Sequence, residues 1–357
     1  MIPRPADRPW LHRFALLTAL ATFVLIGIGG LVTSKEAGMA VPDWPTSYGY
    51  NMFLLPISKW VGGIFFEHVH RLAASVVGML TVALAVMIWR TDDRRWMRWL
   101  GAAAVLGVVL QGVLGGLRVV LLKDQIGIFH AALAQMFLVT VCAIALFTSK
   151  FWRALPAAGT AASDDAGVRR ILLFCTVLIF GQLLLGATMR HQHAGLAIPD
   201  FPLAYHKVWP PTDAASLATY NQNRLGVVEY KPITAFQIVL QMIHRLMALV
   251  ILTAVAFCAW SCRRRLGGRH FLAKLSLAWL GLILTQALLG AITIWSNKAA
   301  DIATAHVVVG ALSLVTGSLL TILSARVSIP VRAAALAKTG ARSEPFVTVG
   351  PVVSSAK

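Results

Sequence analysis

The stretch FFEHVHRLAASVVG, residues 65–78, sets four ionisable side chains, Glu67, His68, His70 and Arg71, at the start of an apolar run with no further charge until Arg90. A helix crossing ~30 Å of hydrocarbon needs ~20 mostly apolar residues at ~1.5 Å rise each. This run has that length, with its polar groups gathered at one end. Working outward, eight such stretches lie at about 14–32, 64–89, 99–117, 127–148, 171–189, 234–260, 275–295 and 303–325. The 357-residue chain is 58% hydrophobic and only 13% charged, which excludes a soluble domain of this size. Strand-like alternation is absent, so helices rather than a barrel must satisfy the backbone.

The net charge of +18 follows from topology. Of the 32 Lys and Arg, 21 fall in five segments, near 4–13, 90–98, 150–170, 263–274 and 326–357, and nine fall in the segments between. Arg71 and Arg245 sit near helix ends. This alternation is the positive-inside pattern, and it puts both termini in the cytoplasm. It leaves no reason to invoke nucleic acid. No outer segment carries any of Cys142, Cys175, Cys258 or Cys262, so all four read as packing residues. The short, Pro-containing N-terminus shows no mitochondrial transit pattern, and a bacterial cytoplasmic membrane is expected.

A four-helix unit occurs twice. EAGMAVPDWPTSYG (36–49) returns as HAGLAIPDFPLAYH (193–206), and EHVHRLAASVVG (67–78) as QMIHRLMALVIL (241–252). GVVLQGVLGG (107–116) returns as LILTQALLGA (282–291), and IGIFHAALAQ (126–135) as IATAHVVVGA (302–311). Four spans is an even number, so both copies have the same orientation. The expected fold is an all-α membrane protein: two tandem four-helix bundles related by a pseudo-two-fold axis along the membrane normal. The halves are 1–153 and 169–326, with a cytoplasmic linker at 154–168 and a disordered tail at 327–357. The first span, which resembles a signal peptide, is retained because the fifth matches it.

His70, His130, His244 and His306 take equivalent places in the repeat. Each stands 19 or 20 residues before the first cytoplasmic basic residue, Arg90, Lys150, Arg263 and Arg326. All four should lie at one depth near the outer boundary. Two imidazoles facing each other across a bundle can clamp a haem iron from both sides. Gly107, Gly112, Gly115, Gly116, Ala131, Ala132 and Ala134 would let a flat macrocycle approach the backbone. Ordinary helix contact explains Gly112-x-x-x-Gly116 equally well. A non-haem metal or a proton path remains open, whereas zinc wants three or four close ligands. The other histidines, His12, His68, His191, His193, His206 and His270, lack repeat partners and read as structural.

Glu67 shares a face with His70, and Arg71 is one turn on, where an ion pair with Glu67 is the plain structural reading. The second half keeps His244 and Arg245 but has Gln241 where Glu67 stands. Arg71 and Arg245 suit a haem propionate through charge-assisted hydrogen bonds. A lone carboxylate at a macrocycle edge can take protons or stabilise a cation. The asymmetry points to a reactive site in the N-terminal half and an electron relay in the C-terminal half.

Taken together, Glu-x-x-His-Arg in span two, His in spans four, six and eight, and PDW after span one resemble the heme A synthase family over residues 14–325. The resemblance implies oxidation of the haem O ring methyl to a formyl group, giving haem A for terminal oxidases. It implies haem O held by His70 and His130, haem b held by His244 and His306, and Glu67 as the catalytic carboxylate. The partners it implies are haem O synthase and terminal oxidase assembly factors, with membrane lipid around the chain and homo-oligomers compatible. Many members carry a Cys pair flanking the PDWP loop. Val41 and Ser47 stand there in this chain, and Ile198 and Ala204 in the second copy, so it resembles the cysteine-less form. Two other classes use the same histidines: a di-haem b-type cytochrome passing electrons, for example from quinol, and a haem transporter. Transport is the weaker of the two, because no span is broken by Pro at mid-depth.

Overall fold

The computed structural model describes residues 8–155, 166–223 and 232–326. The helices are α1 (Pro9–Ser34), α2 (Gly62–Thr91), α3 (Arg95–Val120), α4 (Asp124–Thr148), α5 (Lys150–Ala154), α6 (Ala166–His191), α7 (Ala214–Gln222), α8 (Ala235–Leu266), α9 (Phe271–Trp295) and α10 (Ala300–Arg326). Two 3-10 turns, Met52–Leu54 and Ile57–Lys59, lie in the loop between α1 and α2. Eight helices, all but α5 and α7, are long and apolar enough to cross a membrane. Most outrun the apolar stretches by several residues, because hydropathy marks the part in hydrocarbon and the helix continues into the interface. The expected tail and most of the expected linker lie outside the described residues.

Local chemistry sets the helix ends. Thr234 and Gln237 form a reciprocal capping box at the start of α8. Three arginines, Arg263 to Arg265, occupy its last turn, and Gly267 ends it at φ +86°, where a side chain would be strained.

Each half closes into a ring. Helices α1, α2, α3 and α4 pack in sequence and α4 returns to α1, while α6, α8, α9 and α10 do the same. The histidine-bearing helices therefore lie diagonally: α2 faces α4, and α8 faces α10. Between the halves the main contacts are α1 with α10, α4 with α6, and α4 with α10. Exchanging the halves leaves this set of pairs unchanged.

One apolar core fills each bundle. In the first, Leu84 and Ile88 of α2 meet Met97 of α3 and Leu138 and Ile144 of α4. In the second, Trp279 of α9 meets Leu172 of α6, Val255 of α8 and Leu320 of α10. Lipid tails are as apolar as these side chains, so close packing and hydrogen bonding hold the bundle rather than water exclusion. Trp279 illustrates both: it is fully buried, its ring rests on Gly317, and its Nε1–H donates to the Ser313 carbonyl at 2.8 Å. Leu20, Met79, Leu106 and Leu249 face outward as a lipid surface would require. Cys175, Cys258 and Cys262 lie inside the second core, and no disulfide joins any of the four cysteines.

Candidate functional site

The four histidines occupy matching surroundings. Each lies in the first third of its helix, α2, α4, α8 or α10. Each ring packs on a glycine in the last third of a neighbouring antiparallel helix. A Cβ placed at Gly29, Gly115, Gly186 or Gly290 would fall 3.0, 3.4, 3.4 or 3.2 Å from Cε1 of His70, His130, His244 or His306. The glycines obey the offsets of the repeat: 157 residues separate Gly29 from Gly186, and 175 separate Gly115 from Gly290. Only Gly115 stood out in the sequence. The other three carry no motif of their own, and comparing the two copies position by position around the histidines is the signal that finds them.

His70 lies within electrostatic reach of His130, and His244 of His306. In all four rings Nδ1 is buried without a hydrogen-bond partner. An orphaned buried polar atom costs ~1–3 kcal/mol, so four in equivalent places mark groups poised for something else. Glutamines line the same level. Gln111 and Gln182 donate to the backbone carbonyls of His130 and His244 at 3.0 and 2.9 Å, and Gln286 Nε2 lies 3.4 Å from His306 Nε2. Among the described residues no three His, Cys, Asp or Glu gather as a cage for a bare metal ion. Paired imidazoles over glycine floors fit a flat macrocycle whose iron takes one ligand from each side.

Glu67 and Arg71 form the i, i+4 ion pair that their spacing allows, and both also bond the loop after α1, which the sequence did not indicate. Glu67 is 3% exposed. Its Oε2 accepts from the Val41 backbone N–H at 2.8 Å, and its Oε1 accepts from Arg71 Nη2 at 2.7 Å. The remaining Arg71 bonds reach backbone carbonyls: Nη1 donates to Asp43 and Thr46 at 2.7 and 3.0 Å, and Nη2 to Val41 at 2.8 Å. Together they fasten the α1–α2 loop to α2. In the second half Gln241 Oε1 accepts from the Ile198 N–H at 2.8 Å, and Arg245 donates to the Leu203 and Asp200 carbonyls at 2.9 and 2.7 Å. Neither arginine directs its Nη groups into the space between the histidines.

The loops so fastened are built alike. Asp43 accepts from the Tyr48 and Gly49 N–H groups, and Asp200 from those of Tyr205 and His206. The Tyr48 and Tyr205 hydroxyls donate to the Ala40 and Ala197 carbonyls. Each loop carries one cis X-Pro bond, Trp44–Pro45 or Phe201–Pro202. Burial raises the pKa of Asp43, but donors from Gly49, Thr46 and Tyr48 outweigh it and leave the group below its usual value. Val41, Ser47, Ile198 and Ala204 are all buried at the loop bases.

His191 and His193, which the repeat does not support, lie between the halves. The His191 ring packs on Gly127 of α4 so closely that any Cβ there would collide with it. His193 approaches Asp124 at 4.0 Å. Next to them Arg190 donates to the Gly30 carbonyl and the Ser34 hydroxyl of α1 at 2.8 and 2.9 Å. His68 sits edge-on to Trp60, 4.7 Å between centroids, away from the paired rings.

Comparison with known proteins follows the same residues. A family model described as COX15-CtaA, cytochrome oxidase assembly protein, matches residues 50–317. The heme A synthase of Geobacillus kaustophilus is 28% identical over 302 residues, covering 82% of this chain and 84% of that protein. That of Shouchella clausii is 26% identical over 293 residues, covering 81% and 88%. That of Rhizorhabdus wittichii is 24% identical over 352 residues, covering 87% and 93%. The matched region takes in Glu67 and all four paired histidines, and this multi-pass membrane protein belongs to the COX15-CtaA family of cytochrome oxidase assembly proteins, the family of the heme A synthases.

Proposed function

We propose that the chain is a heme A synthase: an oxidoreductase that converts the ring methyl of haem O to a formyl group in the N-terminal half. The observation that carries this reading is the pair of diagonal histidine couples, each ring on its own glycine with Nδ1 unpartnered, in a chain of this family. His70 and His130 would hold the haem O substrate, and His244 and His306 a resident haem b. The iron of a bound haem supplies the redox chemistry. The protein supplies position: imidazoles fixed in one plane of approach, glycines that admit the ring system, and apolar helices that exclude water around it.

Glu67 distinguishes the halves chemically. Its carboxylate is the one charged group that Gln241 does not reproduce, and we assign it as the catalytic carboxylate of the N-terminal half. Oε2, held by the Val41 N–H, is its anchor to the loop, and Oε1 is its anchor to Arg71. A negative charge kept in place by these donors can favour a developing positive charge on a neighbouring ring without reorganising. The basic segments support termini on the cytoplasmic side, which sets both histidine couples near the outer face. Haem O synthase and oxidase assembly factors are the partners this place in the pathway calls for.

The test is haem extraction and chromatography from a host that makes haem O but no haem A, with and without this chain. Haem A appears only with the chain if the reading holds. Bound haem with only haem O recovered would leave the di-haem cytochrome in its place.

A further inference from the structure

The arginines expected to meet a haem carboxylate are committed elsewhere, to loop carbonyls and, for Arg71, to Glu67 as well. A different arginine stands at the paired rings of the N-terminal half. Arg118, in the last turn of α3, stands three residues, about one helical turn, beyond Gly115, the glycine on which the His130 ring packs. Its side chain is only 16% exposed, and its Nε is buried without a partner. Its one hydrogen bond among the described residues runs from Nη2 to Asp124 at 3.2 Å. Nη1 lies 2.7 Å from where a Cβ would stand on Gly38, so that glycine leaves the guanidinium its place. A buried guanidinium with most of its donors unused has room for a second carboxylate.

The C-terminal half has no counterpart at this position. Thr293 takes the place of Arg118, and its hydroxyl is turned back to the Leu289 carbonyl at 2.8 Å. The cation acting on His306 is Arg190, from a different helix, and it is already bonded across to α1.

We propose that Arg118 is the carboxylate-binding residue of the N-terminal half, taking a propionate of the haem held between His70 and His130. This rests on the haem reading above and deepens it: the ring would be oriented by an arginine that only the substrate half possesses. A carboxylate oxygen there would accept from Nε–H or from Nη1–H, which lie on opposite edges of the guanidinium and which Asp124 leaves free.

The experiment titrates the full chain, stripped of haem in detergent and carrying His306→Ala to disable the second couple, with ferric protoporphyrin IX and with its dimethyl ester. Low-spin absorbance that disappears on His70→Ala reports the N-terminal couple. The free diacid should bind about tenfold to a hundredfold more tightly than the ester, the range for charge-assisted hydrogen bonds. Arg118→Leu should bind both equally, Arg118→Lys should keep part of the preference, and Lys123→Ala should keep all of it. Undiminished preference in Arg118→Leu would overturn the assignment while leaving His70-dependent binding, and the haem reading, intact. Absence of His70-dependent absorbance with either probe would overturn both. If Arg118→Leu does not accumulate, Arg118→Gln keeps the shape without the charge and the same two outcomes decide.

Discussion

The two halves fasten matching loops with different chemistry. In the N-terminal half a carboxylate and a guanidinium, Glu67 and Arg71, share the work, and Arg71 bonds the Val41 carbonyl. In the C-terminal half a neutral amide does both jobs: Gln241 accepts from the Ile198 N–H and its Nε2 donates to the Ile198 carbonyl at 3.3 Å. Arg245 then has no ion-pair partner of the Glu67 kind among the described residues and lies over the Phe201 ring at 5.4 Å. With Arg245 still bonding the Leu203 and Asp200 carbonyls, an amide in place of the carboxylate is therefore sufficient to build this loop. The buried ion pair of the first half is not required by the fold, and a buried pair is weak support for stability in any case. Its retention in one half points to chemistry.

The comparison breaks most sharply at the ligands. His244→Ala or His306→Ala should abolish one low-spin haem population and leave the other, while His70→Ala or His130→Ala should do the reverse. Absorbance spectra of the purified variants, with and without added haem, check this. Loss of the same population on His70→Ala and on His244→Ala or His306→Ala would mean that the couples form across halves rather than within them.

Next in size is the clamp itself. Glu67→Ala strands Arg71 among three carbonyls and should cost about 3–5 kcal/mol of stability, toward the lower end because those carbonyls remain. Glu67→Gln should cost no more than about 1 kcal/mol, since the first loop can adopt the bonding of the second. Thermal unfolding in detergent separates the two. If Glu67→Gln keeps stability and haem but yields no haem A, the charge is needed for the reaction. If it yields haem A normally, the carboxylate serves the loop alone.

Much of this was legible beforehand, for identifiable reasons. Hydropathy and charge placement fix the eight spans because the bilayer imposes length and sign on every one. The four histidines stood out because duplication gives each position a control. The role of Arg71 did not, because an arginine at a helix end reads the same whether it meets a ligand or a loop; only the positions of the Asp43, Thr46 and Val41 carbonyls decide. Arg118 was hidden for the converse reason. It looked like one more outer-loop cation until α3 placed it a turn beyond the glycine that seats His130. The fits of His191 on Gly127 and of Trp44 on Gly116 depend on interhelical distances that no linear spacing encodes.

That last fit gives a smaller difference between the halves. Trp44 lies directly on Gly116. In the second half the corresponding residues are Phe201 and Ala291, a smaller ring against a larger floor. Gly116→Ala should therefore cost about 1–3 kcal/mol, as overpacking does, and Gly116→Ala with Trp44→Phe should recover most of it. No recovery in thermal unfolding would show that ring and floor are not coupled.

The smallest expected effect lies under the rings. Gly29 and Gly186 are equivalent, yet a Cβ would stand 3.0 Å from His70 and 3.4 Å from His244. The second distance is ordinary contact, and the first requires the imidazole to yield by a few tenths of an ångström. Gly29→Ala should broaden or shift the low-spin signal of the N-terminal couple while Gly186→Ala leaves the C-terminal one unchanged. A displacement of that size in a packed bundle leaves stability nearly untouched, so electron paramagnetic resonance of the ferric protein reads it best. Equal g-value shifts in the two variants would mean that the two floors are equally tight once haem is bound. The tighter seat of His70 would then belong to the haem-free protein and not to the working one.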